Sequence, residues 1–368
     1  MASYDIMTQK LDETFMQLLE AGRIPGCGLK VRKDGELIYD KCFGFADLQS
    51  RLPVTENTVF PLASMTKPVI AVAVMRLVED GKLSLDDTLL DFFPEYPEEK
   101  RSVTVRHLLN HCSGLGQGDA GDDYFFEHAI AGESLEERIN RLGDMPFDYA
   151  PGESAQYSPV VGFEILGRII EIASGMSLAN YLQQTIFDPL EMTETGFFQP
   201  ETDNLAAIYH SENGHLEKVN IDQSPELAFF SLIAANPHYY SGSGGLYSTL
   251  SDYDRFTDML AHRGELHGRR IIREESVKLL HTPRQLTKAE FVPGAMWGLG
   301  YLIFDHPDGK TFFAAPGTYF WSGAFGTHMF VNEGRGVCAT FMVSMDDLGG
   351  GRSPISRQIE KIVFEQIN

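Results

Sequence analysis

Apolar positions recur at helical spacing near the start of the chain. Ile6, Leu11, Phe15, Leu18 and Leu19 predict an amphipathic helix over residues 4–22, stopped by Gly22. The pattern then changes to strands over about 27–33 and 36–44, which flank Asp34-Gly35, a strong two-residue hairpin signal. From Ser64 to Glu79 the pattern is helical again. Its body, Val69 to Met75, is apolar almost all round, which predicts burial on every side, and Gly81 ends it. Pro68 is tolerated in the first turn, where N–H groups are unpaired anyway. Further helices are expected over 104–110, 160–174 and 177–186. Strand patterns return at 299–304, 310–314, 325–332 and 336–344, and a final helix over 354–366 carries Ile355, Ile359, Ile362 and Val363 on one face.

Strands thus lie at both ends of the chain and helices fill its middle. The expected fold class is an α/β part plus an all-α part: an antiparallel sheet built from both chain ends, flanked by the terminal helices, with a helical lobe inserted. The expected division is 1–63 with 240–368 for the sheet lobe and 64–239 for the mainly helical lobe. A cleft between such lobes is a favoured place for a small-molecule site.

A chain of 368 residues is long enough for two lobes, and its apolar and charged fractions, 43% and 22%, are ordinary for a globular enzyme. The formal net charge of -22 repels phosphate backbones, so no nucleic-acid partner is expected. No run of about 18 apolar residues occurs, so no membrane span is expected either. The first residues show no basic stretch leading into an apolar one, and a cytoplasmic protein is the expectation. Cys27, Cys42, Cys112 and Cys338 form no C-x-x-C pair and read as free thiols. No G-x-S-x-G occurs, which removes the nucleophile elbow of α/β-hydrolases.

Candidate chemistry begins with Ser64-Met65-Thr66-Lys67. Residues i and i+3 share a helix face, so hydroxyl and amine can meet, and a serine hydroxyl needs such a base. Ser and Lys are common enough for this spacing to arise by chance. Tyr157-Ser158 follows the loop Pro151-Gly152-Glu153; a tyrosine near a lysine can share one mobile proton, the pair titrating as a unit. Trp321-Ser322-Gly323-Ala324 precedes a predicted strand, whose edge would supply backbone N–H groups. It reads equally as an edge strand with one buried aromatic. His107 and His111, four apart, could share a helix face as metal ligands do, but no nearby Glu or Cys completes a set, and they read as structural. The patches Tyr124-Phe125-Phe126 and Tyr239-Tyr240 could shape an apolar pocket or simply anchor loops.

Taken together and in order, these stretches resemble the serine β-lactamase and penicillin-binding protein superfamily, in its class C-like branch with family VIII carboxylesterases. Arg106 to Leu115, Gly244 to Thr249 and Trp297 to Tyr301 join the motifs above in that resemblance, which covers nearly the whole chain. It implies a β-lactamase/transpeptidase-like fold, Ser64 as nucleophile through an acyl-enzyme, Lys67 as its base or proton-sharing partner, and Tyr157 as second acid/base. It implies an oxyanion hole from the N–H groups of Ser64 and Ala324, substrate contacts from Trp321, Ser322, Gly323 and Ser158, and no cofactor. Trp321 stands where β-lactamases carry a lysine that holds a substrate carboxylate, and Pro159 where they carry an asparagine. A carboxylic ester is therefore the expected substrate. Open alternatives are an amidase or D-amino-acid peptidase, a weak class C-type β-lactamase, an acyltransferase, or a non-catalytic scaffold. Oligomeric state is left open.

Overall fold

The computed structural model describes residues 4–130, 132–197, 203–224, 227–283, 292–310, 313–350 and 353–367. Helix α1 (Asp5–Glu20) leads into strands β1 (Gly26–Lys33), β2 (Glu36–Asp47), β3 (Leu52–Pro53) and β4 (Val59–Pro61), then helix α2 (Thr66–Glu79). After several short helices come α3 (Val161–Ser174), a hairpin of β5 (Tyr209–Glu212) and β6 (His215–Lys218), β7 (Tyr247–Thr249) and α4 (Leu250–Ala261). The chain closes with β8 (Ala295–Trp297), β9 (Leu302–Phe304), β10 (Tyr319–Ser322), β11 (His328–Asn332), β12 (Val337–Met342) and α5 (Pro354–Gln366).

One sheet has the strand order β8-β9-β10-β11-β12-β1-β2-β3, and its neighbours pair antiparallel. The two chain ends therefore meet at its centre, where Leu29 on β1 faces Phe341 on β12. The β1–β2 turn needs positive φ at both central residues, and Asp34 (φ 51°) and Gly35 (φ 82°) supply it. Period-2 alternation sends successive side chains into two cores. On β12, Val337, Ala339 and Phe341 join Phe15 of α1 and Ile359 of α5, while Cys338 and Met342 join Phe256 and Met259 of α4. Both faces of the sheet are covered, so β10, β11 and β12 read as nearly continuous apolar runs, whereas β1 alternates Leu29 and Val31 with Lys30 and Arg32. The second core also holds α2, which is buried on every side as its sequence predicts.

Two sequence expectations are corrected. Lys310, Phe313 and Ala314 of the expected strand 310–314 carry no ladder; Thr311 and Phe312 lie outside the described residues, and the strand in this region is β10. The expected strand 325–332 begins only at His328, because Gly323 to Thr327 form a tight turn closed by Gly323 N–H to Thr327 O (2.8 Å). Trp321 and Ser322 end β10 beyond its ladder with β9, which stops at Phe320; their ladder partners are Met329 and His328 of β11, so the side towards β9 is a local edge, as the sequence reading expects. The middle of the chain also carries β5–β6, whose Tyr209 N–H reaches Ser344 O (3.1 Å) and packs into the α1/α5 core. Among the described residues no helix is long and apolar enough to cross a membrane.

Candidate active site

Ser64 sits in a 3₁₀ turn, Ala63–Met65, immediately before α2. Ala63 has φ 45°, a left-handed conformation that costs a non-glycine residue about 1–2 kcal/mol. The surroundings hold it there. Leu62 N–H donates to Leu246 O (2.9 Å), Leu246 N–H donates to Thr66 Oγ1 (3.1 Å), and Tyr253 OH donates to Met65 O (2.8 Å).

Lys67 lies three residues on, fully buried in the first turn of α2. Its Nζ is 3.2 Å from Ser64 Oγ, 2.7 Å from Pro159 O and 2.8 Å from Ser243 O. An ammonium has three protons for these three acceptors. A neutral amine has two, which the carbonyls take, leaving its lone pair for the proton of Ser64. Burial pulls the Lys67 amine down to about 7, although the Glu164 carboxylate acts in the other direction. Glu164 lies in the first turn of α3 with no exposure. It accepts from Ser243 N–H (3.0 Å), Ser243 Oγ (2.6 Å) and Ser241 Oγ, so it holds the very loop whose carbonyl meets Lys67.

Tyr157 OH donates to Ser64 Oγ at 2.8 Å from the other side. Both neighbours of Tyr157 are tied to one residue: Gln156 N–H donates to His111 O (3.1 Å) and Ser158 N–H to His111 Nδ1 (3.2 Å). Its ring lies among His111, Trp321 and Trp297, with centroids 5.1, 5.1 and 5.9 Å away. Burial, then the Lys67 charge, push His111 well below the usual imidazole range, so it stays neutral and accepts from Ser158. His107 Nδ1 meets Thr104 N–H (3.4 Å), so the two histidines serve the backbone separately.

These groups open on a cavity of about 690 Å³. Its lining includes the apolar side chains Phe126, Val160, Phe229 and Phe230, together with Trp321, Ser322, Ala324 and Asp346. Ala324 belongs to the β10–β11 turn. Gly323 lets that turn approach the nucleophile segment: a Cβ there would stand 2.3 Å from Leu62 O and 2.3 Å from Thr327 Oγ1. Trp321 is buried, and its indole N–H has no hydrogen-bond partner among the described residues.

Of the residues singled out by sequence, Ser64, Tyr157, Trp321, Ser322 and Ala324 line the cavity, and Lys67 lies behind Ser64. Ser158 does not. It is fully buried, and its hydroxyl accepts from Gly162 N–H (3.1 Å), capping the start of α3 instead of meeting substrate. Sequence reasoning missed Glu164, Ser243, Phe229 and Phe230. Of the aromatic patches it considered, Phe126 reaches the cavity, while Phe125 and Tyr239 are buried in the core.

A sequence profile described as Beta-lactamase matches residues 11–362, all but the ends of the chain. The chain belongs to the β-lactamase family. It is a serine hydrolase of that superfamily. It is 30% identical over 365 residues to Esterase EstB of Burkholderia gladioli, a match covering 92% of this chain and 90% of that protein. In structure it is similar to EstCE1, described as a hydrolase with promiscuous acyltransferase activity, with TM-score 0.85, 23% identity and coverage of 99% and 100%. It is also similar to the octameric penicillin-binding protein homologue from Pyrococcus abyssi, with TM-score 0.75, 26% identity and coverage of 96% and 76%.

Proposed function

We propose that the chain is an esterase that cleaves carboxylic esters through an acyl-enzyme on Ser64. The observation that carries this reading is that one hydroxyl, Ser64 Oγ, lies within reach of both Lys67 (3.2 Å) and Tyr157 (2.8 Å) on the wall of a largely apolar cavity. The Lys67–Tyr157 pair takes the Ser64 proton as Oγ attacks the ester carbonyl. The N–H groups of Ser64 and Ala324 receive the oxyanion. Tyr157 returns the proton to the departing alkoxide, and water then reverses the sequence to free the acid. The proposed division remains a sheet lobe (1–63, 240–368) and a mainly helical lobe (64–239), with Ser64 at the sequence boundary between them.

Esters are favoured over β-lactams and peptides by Trp321, which offers an apolar face and one N–H where a carboxylate anchor would need a cation. The likeness to an esterase along almost the full chain points the same way. The test is hydrolysis of p-nitrophenyl acetate and butyrate by the wild type and Ser64→Ala, with nitrocefin alongside. Ester turnover is expected to fall by several powers of ten in Ser64→Ala, and a serine-directed fluorophosphonate is expected to add its mass to Ser64. Dominant nitrocefin cleavage, or ester turnover that survives Ser64→Ala, overturns the proposal.

A further inference from the structure

A second buried chain of polar groups starts at the same cavity, and the chemistry above does not use it. Ser322, on the cavity wall at the end of β10, has its hydroxyl 2.7 Å from Nδ1 of His328. His328 is its direct cross-strand partner on β11. His328 Nε2 lies 3.0 Å from Glu360 Oε1, and Glu360 Oε2 lies 2.7 Å from Arg357 Nη1, both on α5. All four side chains are buried.

The protons in this chain can be assigned from its ends. Glu360 is a carboxylate whose charge is already balanced by Arg357, so it only accepts. The nitrogen facing it, Nε2, therefore carries the ring proton. Burial, helped by the Arg357 charge, outweighs the pull of Glu360 and of the Trp321 backbone and keeps the ring below its ordinary range, in its neutral form. With the ring proton on Nε2, Nδ1 is a lone pair and the Ser322 hydroxyl donates to it. With its proton spent, Ser322 Oγ offers only lone pairs to the cavity. Asp346, which also lines the cavity, is an acceptor too, held by His210 Nδ1 (2.8 Å), and among the described residues the cavity wall carries no cation.

We propose that Ser322 is a specificity-determining hydrogen-bond acceptor, fixed in that role by His328 and Glu360 as positioning residues. It favours acyl donors that bear an O–H or N–H on the part lying along β10, such as hydroxyacyl or acylamino esters. The inference rests on the esterase reading of Ser64 for its substrate class, but the acceptor assignment itself does not.

The experiment compares p-nitrophenyl butyrate with either enantiomer of p-nitrophenyl 3-hydroxybutyrate in the wild type, Ser322→Ala and Ser322→Gly, each checked for folding by its melting temperature. The readout is the ratio of kcat/KM for the hydroxylated over the plain ester. One neutral hydrogen bond predicts that this ratio falls about five- to tenfold when the hydroxyl is removed. An unchanged ratio in folded Ser322→Ala overturns the proposal. Independently, ¹⁵N NMR of labelled histidine, with His328 assigned through His328→Gln, should show Nε2 protonated and Nδ1 bare. A proton on Nδ1 overturns it as well. If the wild type turns over neither ester, the esterase reading fails, and the tautomer decides whether Ser322 is an acceptor.

Discussion

Replacing Glu164 with Gln should move the acid limb of the pH–rate profile downward. Glu164 is buried one hydrogen-bonded residue away from Lys67: its Oε1 accepts from Ser243 N–H (3.0 Å), and Ser243 O accepts from Lys67 Nζ (2.8 Å). Burial has drawn the amine down to about 7, and the carboxylate is the opposing influence that keeps it from falling further. Two opposite charges separated by one intervening group interact by about 2 kcal/mol at an effective dielectric near 20. At ~1.4 kcal/mol per pKa unit, losing that attraction lowers the amine by about one and a half units. The glutamine amide keeps the shape and can still accept from Ser243.

The direction follows from which form reacts. Ser64 needs a base, so the reactive site has one proton fewer on the Lys67–Tyr157 pair, and the rate rises with pH through the pair's apparent pKa. In the wild type, kcat/KM for p-nitrophenyl butyrate should climb through about pH 7 and level off above it. In Glu164→Gln the half-height should lie near pH 6 or below, with the plateau reduced if the 241–245 loop loosens. The assay is a set of kcat/KM values for both proteins between about pH 5 and pH 9. An acid limb that stays in place, or moves upward, would refute the claim that Glu164 acts on the amine through charge.

Other outcomes follow from the same geometry. Gly323→Ala places a methyl group 2.3 Å from Leu62 O, so the β10–β11 turn must retreat from Ser64; kcat should fall about 10²–10³-fold, the cost of one oxyanion donor, and steady-state kinetics will show it. Phe230→Ala enlarges the apolar lining of the cavity, and the preference for hexanoate over butyrate esters should rise about tenfold, as two extra buried methylenes allow. Ser158→Ala removes the cap on Gly162 N–H, which should cost about 1 kcal/mol and lower the melting temperature by about 1–2 °C. A tenfold or larger rise in KM for the butyrate ester would instead return Ser158 to substrate binding.

What the sequence makes legible is set by the range over which each interaction acts. Ser64 and Lys67 are three apart on a helical turn, so local geometry alone brings them together. The hairpin at Asp34-Gly35 is equally local, because only its own two φ angles are required. Tyr157 was marked by its loop and by the ordered resemblance, since nothing near residue 157 in sequence points at Ser64. Glu164 was missed because an acid in the first turn of a helix ordinarily complements the helix dipole. Its partners Ser241 and Ser243 lie more than seventy residues away. Ser158 misled for the converse reason: a hydroxyl beside a functional tyrosine is also an ordinary helix cap, and burial decided for the cap. Phe229 and Phe230 reach the cavity from a short helix whose apolar face reads like any core-facing one. The strand expected at 310–314 fell short of β10 because apolar runs in this region are similar, and only pairing with β9 and β11 selects one of them.

Three departures from ordinary folding preference meet at the candidate active site. Ala63 takes a left-handed turn that glycine would adopt without strain. Lys67 buries an amine that methionine would replace without a charge to desolvate, and Trp321 buries an N–H that phenylalanine would lack. Each departure could be relaxed by one substitution, and each weakens the fold by an amount comparable with ordinary single mutations. A scaffold without chemistry has no reason to keep all three within reach of a single hydroxyl. The rest of the molecule supplies the support they need. α2 is fixed in the core that includes α4, β10 and β11 are fixed by residues packed into the α1/α5 core, and the Gly323 turn brings the second assembly against Leu62 of the first. Ser64 is consequently positioned by both cores at once, so a change that shifts either core by a fraction of an ångström should be felt in turnover before it is felt in unfolding.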